Sequence, residues 1–261
     1  MKKYGVVILA AGDATRLRLD IPKGLVKIHG ASLLERILKK CPEDVAIMTS
    51  IKNHEQIKEH VEDLGLQNKR FLFFNQKSAP VLGVDTLSPM GNGDLFRAFA
   101  ESGVLQTFRE RGVERIVVCP VDNPLVQPGF WGLHQNAELV VLAVEKKSEN
   151  ESVGTIFTDD KLSVKEYTSF KNSEGLAYAG IFSAALSFFE RAARMDPLVK
   201  VHKIKKVQRG VEVVKQEKFV FDFFPLARNF EVVKVDRSTH FLPIKRDVGA
   251  DSLEDALRVL S

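Results

Sequence analysis

The chain has 261 residues, of which 44% are hydrophobic and 28% charged, and its formal net charge is +4. This length allows one α/β domain with a substantial core, and the mild positive charge suits small anionic substrates. Because the basic residues form no aromatic-interleaved stripe, we expect no nucleic-acid partner. The apolar run Val6–Ala10 is far shorter than the ~20 residues that span a membrane, so we expect a soluble, cytoplasmic protein without a membrane partner.

Short apolar runs alternate with amphipathic segments, which predicts an α/β fold that is doubly wound around a mostly parallel sheet. In the first half we expect, in order, strand Tyr4–Leu9, helix Ser32–Lys40, strand Val45–Thr49, helix Asn53–Leu64, strand Arg70–Phe74, helices Gly93–Ser102 and Val104–Arg111, and strand Arg115–Cys119. Ser32 and Asn53 are predicted to cap their helices. In the second half we expect strand Leu139–Val144, antiparallel strands between Val153 and Ile181, helix Ala184–Arg194, helix Phe219–Ala227, strand Val232–Val235 and helix Ser252–Leu260.

The first predicted strand runs into a turn of small residues, Ala11–Ala14, which two fixed cations follow, Arg16 and Lys23. Small-residue turns after apolar strands present backbone N–H groups to phosphates. The turn is neither a dinucleotide fingerprint nor a Walker A loop, since the required glycines and the Gly-Lys-Ser/Thr ending are missing. A phosphate site is indicated, and the alternative is a structural turn with surface cations.

Three later segments carry candidate site residues. In Gly91-Asn92-Gly93, the two glycines allow close approach of the backbone to a ligand, and the alternative is a plain loop with helix caps. Asp122 follows a strand, where a carboxylate together with substrate phosphates could bind Mg²⁺, and the alternative is a loop cap. Lys245 follows an apolar run, and such a lysine is more often a solvated surface residue.

Taken in order, these segments resemble the UDP-sugar pyrophosphorylase family, most closely its UDP-N-acetylhexosamine pyrophosphorylase branch. The resemblance runs from Val6 to about Leu260. The family's L-A-G-G-x-G-T-R-L turn, its other short motifs and its phosphate-binding P-L-K are matched by Leu9–Leu17, Pro22–Gly24, Phe73–Gln76, Gly91–Gly93, Val121–Asn123, Val153–Gly154, Val164–Tyr167, Glu217–Asp222 and Pro243–Lys245.

The resemblance implies a Rossmann-like, GT-A-type nucleotidyltransferase fold with a small antiparallel sugar-binding portion. It implies one catalytic domain over residues 1–261, with a nucleotide-binding part at residues 1–125 and a sugar-binding part at residues 126–261. The implied reaction is transfer of UMP from UTP to N-acetylglucosamine 1-phosphate or glucose 1-phosphate, with release of pyrophosphate. Two alternatives stay open, a UDP-sugar-dependent glycosyltransferase and a non-catalytic nucleotide-sugar sensor. A glycosyltransferase does not need Arg16 and Lys23 as a pyrophosphate grip, whereas a sensor could have lost Lys23 or Asp122.

The resemblance also implies a role for each matching residue. The catalytic residues are Arg16, Lys23 and Lys245. The nucleotide-binding residues are Ala11, Gly12, Asp13, Ala14, Thr15, Gln76, which reads uracil, and Gly91. The sugar-binding residues are Asn92, Gly154, Glu166 and Tyr178. The Mg²⁺ ligand is Asp122, with Asp236 as a second candidate.

The chain departs from the family pattern at two places. Ala11, Ala14 and Arg18 stand where the family usually has glycine, and alanine keeps such a turn only if its φ stays negative. The segment Tyr178–Ile181 replaces the family's N-A-G-N, so both amides that help hold the sugar are missing. The identity of the sugar therefore stays open.

Overall fold

The computed structural model describes residues 3–133, 136–148, 151–166, 175–208, 211–249 and 251–260. The strands are β1 Tyr4–Leu9, β2 Lys27–Ile28, β3 Ala31–Ser32, β4 Asp44–Thr49, β5 Arg70–Asn75, β6 Ser78–Pro80, β7 Leu87–Pro89, β8 Arg115–Pro120, β9 Leu139–Glu145, β10 Thr155–Phe157, β11 Ser163–Lys165, β12 Leu176–Ala185, β13 His202–Gln208, β14 Val211–Glu217 and β15 Phe230–Lys234. The α-helices are α1 Leu33–Leu38, α2 His54–Asp63, α3 Leu95–Glu101, α4 Val104–Glu110, α5 Pro128–Leu133, α6 Leu186–Met195, α7 Arg237–His240 and α8 Leu253–Val259. Short 3₁₀ helices cover Thr15–Leu17, Lys23–Leu25, Asn92–Asp94, Asp196–Leu198 and Val220–Leu226.

A nine-stranded, mixed sheet forms the centre of the fold. Strands β5, β4, β1 and β8 lie side by side and parallel, in that order. Strand β12 is antiparallel to both β8 and β9, and β15 pairs with β9 in parallel. The short strands β10 and β11 extend the sheet antiparallel from the first half of β12. The prediction of a mostly parallel α/β sheet with a small antiparallel portion is therefore confirmed.

Helices cover both faces of the sheet, as the doubly wound prediction requires. On β1, Val7 belongs to a core cluster that includes phenylalanines of α3 and α6, such as Phe96 and Phe188. Its neighbours Val6 and Ile8 belong to a second cluster, which contains apolar residues of α1 and α2. A strand that is buried on both faces reads as a continuous apolar run, which is why the first strand was recognisable in sequence.

Each predicted helix, and each predicted strand outside the segment between Val153 and Ile181, agrees with the structure to within two residues at either end, with one change of type. In that segment β12 extends four residues past Ile181. Eight observed strands and α-helices were not predicted, namely β2, β3, β6, β7, β13, β14, α5 and α7. The segment predicted as helix Phe219–Ala227 is a 3₁₀ helix that contains Pro225, and proline cannot donate the hydrogen bond of an α-helix. Ser32 caps α1 through a reciprocal pair of hydrogen bonds with Glu35. Asn53 precedes α2, but its side chain does not cap that helix. Its Oδ1 accepts from the Ser50 backbone N–H at 2.8 Å, and its Nδ2 donates to a backbone carbonyl at the end of β1.

The N-terminal edge of the parallel strands is held by one buried carboxylate. The side chain of Asp44, at the start of β4, is 0% exposed and forms ion pairs with Lys3 at 3.0 Å, Arg70 at 2.7 Å and Arg111 at 3.1 Å. Burial by itself raises the pKa of Asp44, but the hydrogen bonds from these three cations outweigh it and lower the pKa. This cluster fixes the edge of the sheet opposite to the one where the candidate site lies.

Within the described residues, no helix is both long and apolar enough to cross a membrane.

Candidate active site

The turn after β1 is closed by its own backbone. The Lys23 N–H donates to the Gly12 carbonyl at 2.9 Å, and the Ala14 N–H donates to the Ile21 carbonyl at 3.0 Å. Ala14 has a φ of −85°, which alanine adopts without strain, although family members usually have glycine at this position. Arg18 has a φ of 57°, in the left-handed region that favours glycine. The turn therefore keeps its shape with alanines, and Arg18 is the substituted position that takes a glycine-like conformation.

Asp13 places a carboxylate in this turn, and a lysine from a neighbouring loop neutralises it. The Asp13 Oδ2 lies 2.8 Å from the Nζ of Lys52, which follows β4. We did not identify Lys52 from the sequence, because it belongs to no motif and lies 39 positions away along the chain. The ion pair joins the turn to the loop that precedes α2.

A lysine and an aspartate that are far apart in sequence meet beside the turn. The Lys23 Nζ lies 2.7 Å from the Asp122 Oδ2, and the two side chains are 18% and 24% exposed. Gly24 allows this approach, since a Cβ on it would lie 3.2 Å from a side-chain carbon of Val121. The backbone after Asp122 is tied to a later segment, because its carbonyl accepts from the Ile244 N–H at 2.9 Å.

This last hydrogen bond places Lys245 next to the same carboxylate. The Lys245 Nζ donates to the Ser152 carbonyl at 2.7 Å and lies 3.8 Å from the Asp251 Oδ2. Burial lowers the pKa of Lys245, and the nearby carboxylates of Asp251 and Asp122 oppose this shift only in part. Lys245 is therefore a partly buried cation of the site, and the surface alternative does not describe it.

The turn, Lys23, Asp122 and Lys245 surround one cavity of about 380 Å³. Most of the residues predicted for the nucleotide and the reaction line it, namely Ala11, Gly12, Asp13, Ala14, Thr15, Arg16, Lys23, Gln76, Asn92, Asp122 and Lys245. Gln76 is 6% exposed, and its backbone N–H donates to the Thr49 carbonyl at 2.9 Å, which fixes it beside the C-terminal end of β4.

A second cavity of about 250 Å³ adjoins the first and shares Asn92, Asp122 and Lys245 with it. Its other walls include the remaining predicted sugar-binding residues and three aromatic rings, namely Gly154, Glu166, Tyr178, Phe219, Phe221 and Phe241. Burial raises the pKa of Glu166, and the Lys245 ammonium opposes the shift. The Tyr178 hydroxyl is buried and has no hydrogen-bond partner in the described part of the chain. Tyr167, which completes one of the motifs, lies outside the described residues.

The Gly91–Gly93 loop owes its glycines to another segment of the chain. A Cβ on Gly91, which has a φ of 84°, would lie 2.6 Å from the Lys218 carbonyl oxygen. A Cβ on Gly93 would lie 2.6 Å from the carbonyl carbon of Lys218 and from the backbone nitrogen of Phe219. The Gly93 N–H donates to the Lys218 carbonyl at 2.9 Å, and the Asn92 Oδ1 accepts from the Val220 N–H at 3.1 Å. The close approach that we expected toward a ligand is thus made to the backbone of residues 218–219, and Gly91 lines neither cavity.

Lys218 belongs to the matched segment Glu217–Asp222, but the sequence assigned it no role of its own. Its Nζ donates to the Asp196 Oδ2 at 2.8 Å and to the Asp196 carbonyl at 2.9 Å. Both side chains of this ion pair are 7% exposed. The buried pair holds the strand end that packs against Gly91–Gly93.

Asp236 and Asp122 line different cavities. Asp236 lies at the start of α7, where its Oδ1 accepts from the Ser238 N–H at 2.7 Å. The hydrogen bonds from Ser238 lower the pKa of Asp236. Asp236 lines a separate cavity of about 680 Å³, which shares none of the catalytic or nucleotide-binding positions. Its carboxylate is a helix cap, and we therefore withdraw it as a metal ligand.

Asp122 alone remains as a candidate ligand for Mg²⁺. Within the described residues, no group of three or more His, Cys, Asp or Glu side chains could hold a metal ion. Magnesium is commonly bound by one or two protein carboxylates together with substrate phosphates and water. Asp122 fits this pattern, because its carboxylate is partly exposed and lines the first cavity together with Arg16, Lys23 and Lys245.

Comparisons with known proteins identify the family of the chain. The sequence matches the family UDPGP, described as UTP--glucose-1-phosphate uridylyltransferase, over residues 1–253. An Encephalitozoon cuniculi protein described as “Probable UDP-N-acetylglucosamine pyrophosphorylase” is 32% identical, over 97% of this chain and 83% of that protein.

Two solved structures share the fold. The UDP-N-acetylglucosamine pyrophosphorylase of Trypanosoma brucei superposes with a TM-score of 0.80 at 23% identity, over 99% of this chain and 65% of that one. A Leishmania major UDP-glucose pyrophosphorylase variant, solved in complex with UDP-glucose, gives a TM-score of 0.73 at 16% identity, over 93% of this chain and 63% of that one. The chain belongs to the UDP-sugar pyrophosphorylase family of nucleotidyltransferases.

Proposed function

We propose that this chain transfers UMP from UTP to N-acetylglucosamine 1-phosphate or glucose 1-phosphate and releases pyrophosphate. One observation carries the proposal: Asp122 and Lys245 line both cavities, and Lys23 contacts Asp122 from the first. A nucleotide in the first cavity and a sugar phosphate in the second would meet at these three charges. The similarity to the Encephalitozoon cuniculi protein favours the N-acetylated sugar. The segment Tyr178–Ile181 has neither of the two asparagines of the family's N-A-G-N, which favours a different set of sugar contacts.

In this reaction an oxygen of the sugar phosphate forms a bond to the α-phosphorus of UTP. The bond between that phosphorus and the oxygen bridging to the β-phosphate breaks, and pyrophosphate leaves with the electron pair. A phosphate monoester carries about −1.5 to −2 charges near pH 7, so no protein base is needed to activate it. The barrier lies in bringing two polyanions together, and positioning and cations lower it.

The residues of the first cavity divide this work. The backbone N–H groups of Gly12–Thr15 would cradle the triphosphate, and the Arg16 guanidinium would hold the departing pyrophosphate. Lys23 would neutralise charge near the α- and β-phosphates as the bond breaks. Gln76, buried beside the end of β4, would select uracil. Gly91 would act indirectly, by letting the Asn92 loop pack on its support.

The residues of the second cavity would bind the acceptor. Lys245, held at the junction by Ser152, would guide the sugar phosphate to the α-phosphorus. Asn92, Gly154, Glu166 and Tyr178 would line the sugar. We propose on this basis that residues 1–261 work as one catalytic unit, with the nucleotide-binding part at 1–125 and the sugar-binding part at 126–261.

Asp122 would hold Mg²⁺ together with the phosphates of UTP. When bound, the metal supplies positive charge at the phosphate oxygens and so favours the departure of pyrophosphate. The protein residues around Asp122 keep the carboxylate in place, since its backbone is bonded to Ile244 and its side chain to Lys23.

The test is pyrophosphate release from UTP and Mg²⁺ with a panel of sugar 1-phosphates: N-acetylglucosamine, N-acetylgalactosamine and glucose 1-phosphate. We expect release with at least one of them, together with formation of the UDP-sugar. Lys23→Ala should lower kcat far more than it raises KM for UTP, because the charge at Lys23 matters most as the bond breaks. Asp122→Asn should raise the Mg²⁺ concentration needed for half-maximal rate.

Lys39→Ala is the matched control, since it removes the same charge from a side chain that is 60% exposed and lines neither cavity, and it should leave both constants unchanged. Absence of release with every sugar would refute the proposal. Transfer of a sugar from a UDP-sugar to an acceptor would point to a glycosyltransferase, and UDP-sugar binding without turnover would point to a sensor.

A further inference from the structure

We propose that, in the protein without nucleotide, the ammonium of Lys23 occupies the place on Asp122 that the divalent cation takes during turnover. The metal then enters only together with the nucleotide, whose phosphates draw Lys23 away from Asp122. This inference rests on the proposed uridylyl transfer, because it takes its divalent cation and its triphosphate from that reaction.

The contact itself is a direct ion pair. The Lys23 Nζ lies 2.7 Å from the Asp122 Oδ2, a normal length for a charge-assisted hydrogen bond. Magnesium binds carboxylate oxygens directly, at about 2.0–2.1 Å, and tolerates little distortion of its ligand geometry. An ammonium and a divalent cation on the same carboxylate would repel each other at close range. Occupation of Asp122 by Lys23 and by the metal are therefore competing states.

The backbone around the two residues holds the pair in place. The Lys23 N–H donates to the Gly12 carbonyl at 2.9 Å, so the backbone of Lys23 is anchored to the Ala11–Ala14 turn. The Val121 N–H donates to the Leu9 carbonyl at 3.2 Å, so the residue before Asp122 is anchored to β1. Gly24 packs against Val121, and a Cβ there would lie 3.2 Å from its side chain. The two side chains start from fixed points that set their charged ends in contact.

The surrounding charges add to the repulsion of a free cation. Lys245 and Arg16 line the same cavity as Lys23, so three cations share it. The other carboxylate of the cavity, Asp13, is already bound by Lys52 at 2.8 Å. Such a cavity attracts a triphosphate and repels Mg²⁺ that arrives alone. Binding of nucleotide reverses the balance, because Lys23 gains phosphate oxygens as partners and Asp122 becomes free.

The metal and the nucleotide should therefore bind with positive coupling, each raising the affinity for the other. The exchange needs only a movement of the Lys23 side chain, since the Ala11–Ala14 turn and Asp122 line the same cavity. Lys23 then has two roles in sequence, as a temporary partner of Asp122 and as a contact of the phosphates.

The experiment is a titration of the whole, nucleotide-free chain with Mn²⁺ as the probe, followed by the electron paramagnetic resonance signal of the free ion. Wild type and Asp122→Asn should bind Mn²⁺ equally weakly. Lys23→Met keeps the length of the side chain and removes its charge, and it should gain a site at least tenfold tighter than wild type. Lys23→Met/Asp122→Asn should lose that gain. Lys39→Met, which removes a charge from a side chain that is 60% exposed, should show no gain.

A second titration adds a UTP analogue with a non-cleavable α,β bridge. Wild type should now retain Mn²⁺ more tightly than Asp122→Asn. Tighter binding to wild type than to Asp122→Asn without nucleotide would overturn the inference, as would equal binding in the presence of the analogue. A folded Lys23→Met protein without the extra site would also overturn it. If Lys23→Met does not fold, the wild-type and Asp122→Asn comparisons decide.

Pyrophosphate release by the same wild-type preparation separates this inference from the proposed function. Release without any Lys23-dependent change in Mn²⁺ binding leaves the function standing and refutes the exchange. A Lys23-dependent metal site without release for any sugar supports the exchange and refutes the function.

Discussion

Replacing Lys218 with methionine tests how strongly one buried ion pair supports the fold. Both side chains of the Lys218–Asp196 pair are 7% exposed, and the Lys218 Nζ donates two hydrogen bonds to Asp196. Methionine fills much of the same volume but leaves the Asp196 carboxylate buried without its counter-ion. The other Asp196 oxygen already has no hydrogen-bond partner in the described part of the chain, so the carboxylate has little else to rely on.

Removing one partner of a buried ion pair costs about 3–5 kcal/mol, because an uncompensated charge stays in the interior. The entropy of unfolding is about 2.1 cal/mol/K per residue, or roughly 0.55 kcal/mol/K for 261 residues. A loss of about 4 kcal/mol therefore lowers the melting temperature by roughly 7 °C. Lys218→Met/Asp196→Asn should recover part of this loss, because a buried amide costs less than a buried charge.

The assay is urea unfolding at neutral pH, with the melting temperature as a second measurement. Lys39→Met is the control, since the Lys39 side chain is 60% exposed and an i,i+4 pair such as Lys39–Glu35 contributes about 0.3–0.5 kcal/mol. Lys218 lines neither cavity, so the folded Lys218→Met protein should keep its kcat within a few-fold of wild type. A loss of stability below about 1 kcal/mol, or a double variant as unstable as the sum of its single changes, would refute the reasoning.

Three further predictions concern the glycines, the sheet edge and the site lysine. Gly93→Ala should lower the free energy of unfolding in urea by about 1–3 kcal/mol, because the added Cβ would collide with the Phe219 backbone. Gly12→Ala should leave the free energy of unfolding unchanged, because its added Cβ meets no protein atom within 4 Å, but it should raise KM for UTP. Equal losses of stability would contradict this. Hydrogen bonds from the three cations lower the folded-state pKa of Asp44, so wild type should be more stable than Asp44→Asn above pH ~4. This difference in stability should shrink as the pH falls further. A difference that does not depend on pH would show that the ionised carboxylate is not its source. Burial lowers the pKa of Lys245, so its ammonium loses the proton at a lower pH than that of an ordinary lysine, and KM for the sugar phosphate should rise at alkaline pH. Lys245→Arg should remove this rise, because arginine stays charged. A rise in KM that remains in Lys245→Arg would come from another group.

The glycine loop illustrates how a correct motif can be given an incomplete physical reason. The sequence placed Gly91-Asn92-Gly93 before a helix and predicted a close backbone approach. The partner of that approach is the backbone of Lys218 and Phe219, more than a hundred positions away along the chain. Only the packing of the 3₁₀ helix Val220–Leu226 against the loop identifies it.

The two candidate metal ligands show the same division. Asp122 and Asp236 both follow apolar strands, β8 and β15, and local sequence does not separate them strongly. The structure gives Asp122 a lysine partner within the first cavity and gives Asp236 the N-terminus of α7. Aspartate is a preferred N-cap residue, and its side-chain oxygen here accepts from the second backbone N–H that follows, that of Ser238.

The sequence by itself determined the alternation of strands and helices in the central sheet, the turn of small residues after β1 and the family, because these depend on local periodicity and on short motifs in a fixed order. The tertiary structure decided which charges meet. The Lys23–Asp122 contact, the neutralisation of Asp13 by Lys52 and the burial of Lys245 each join segments that are distant along the chain. Electrostatic partners are chosen by distance in space, which follows from the order of strands in the sheet and not from any pattern within one segment.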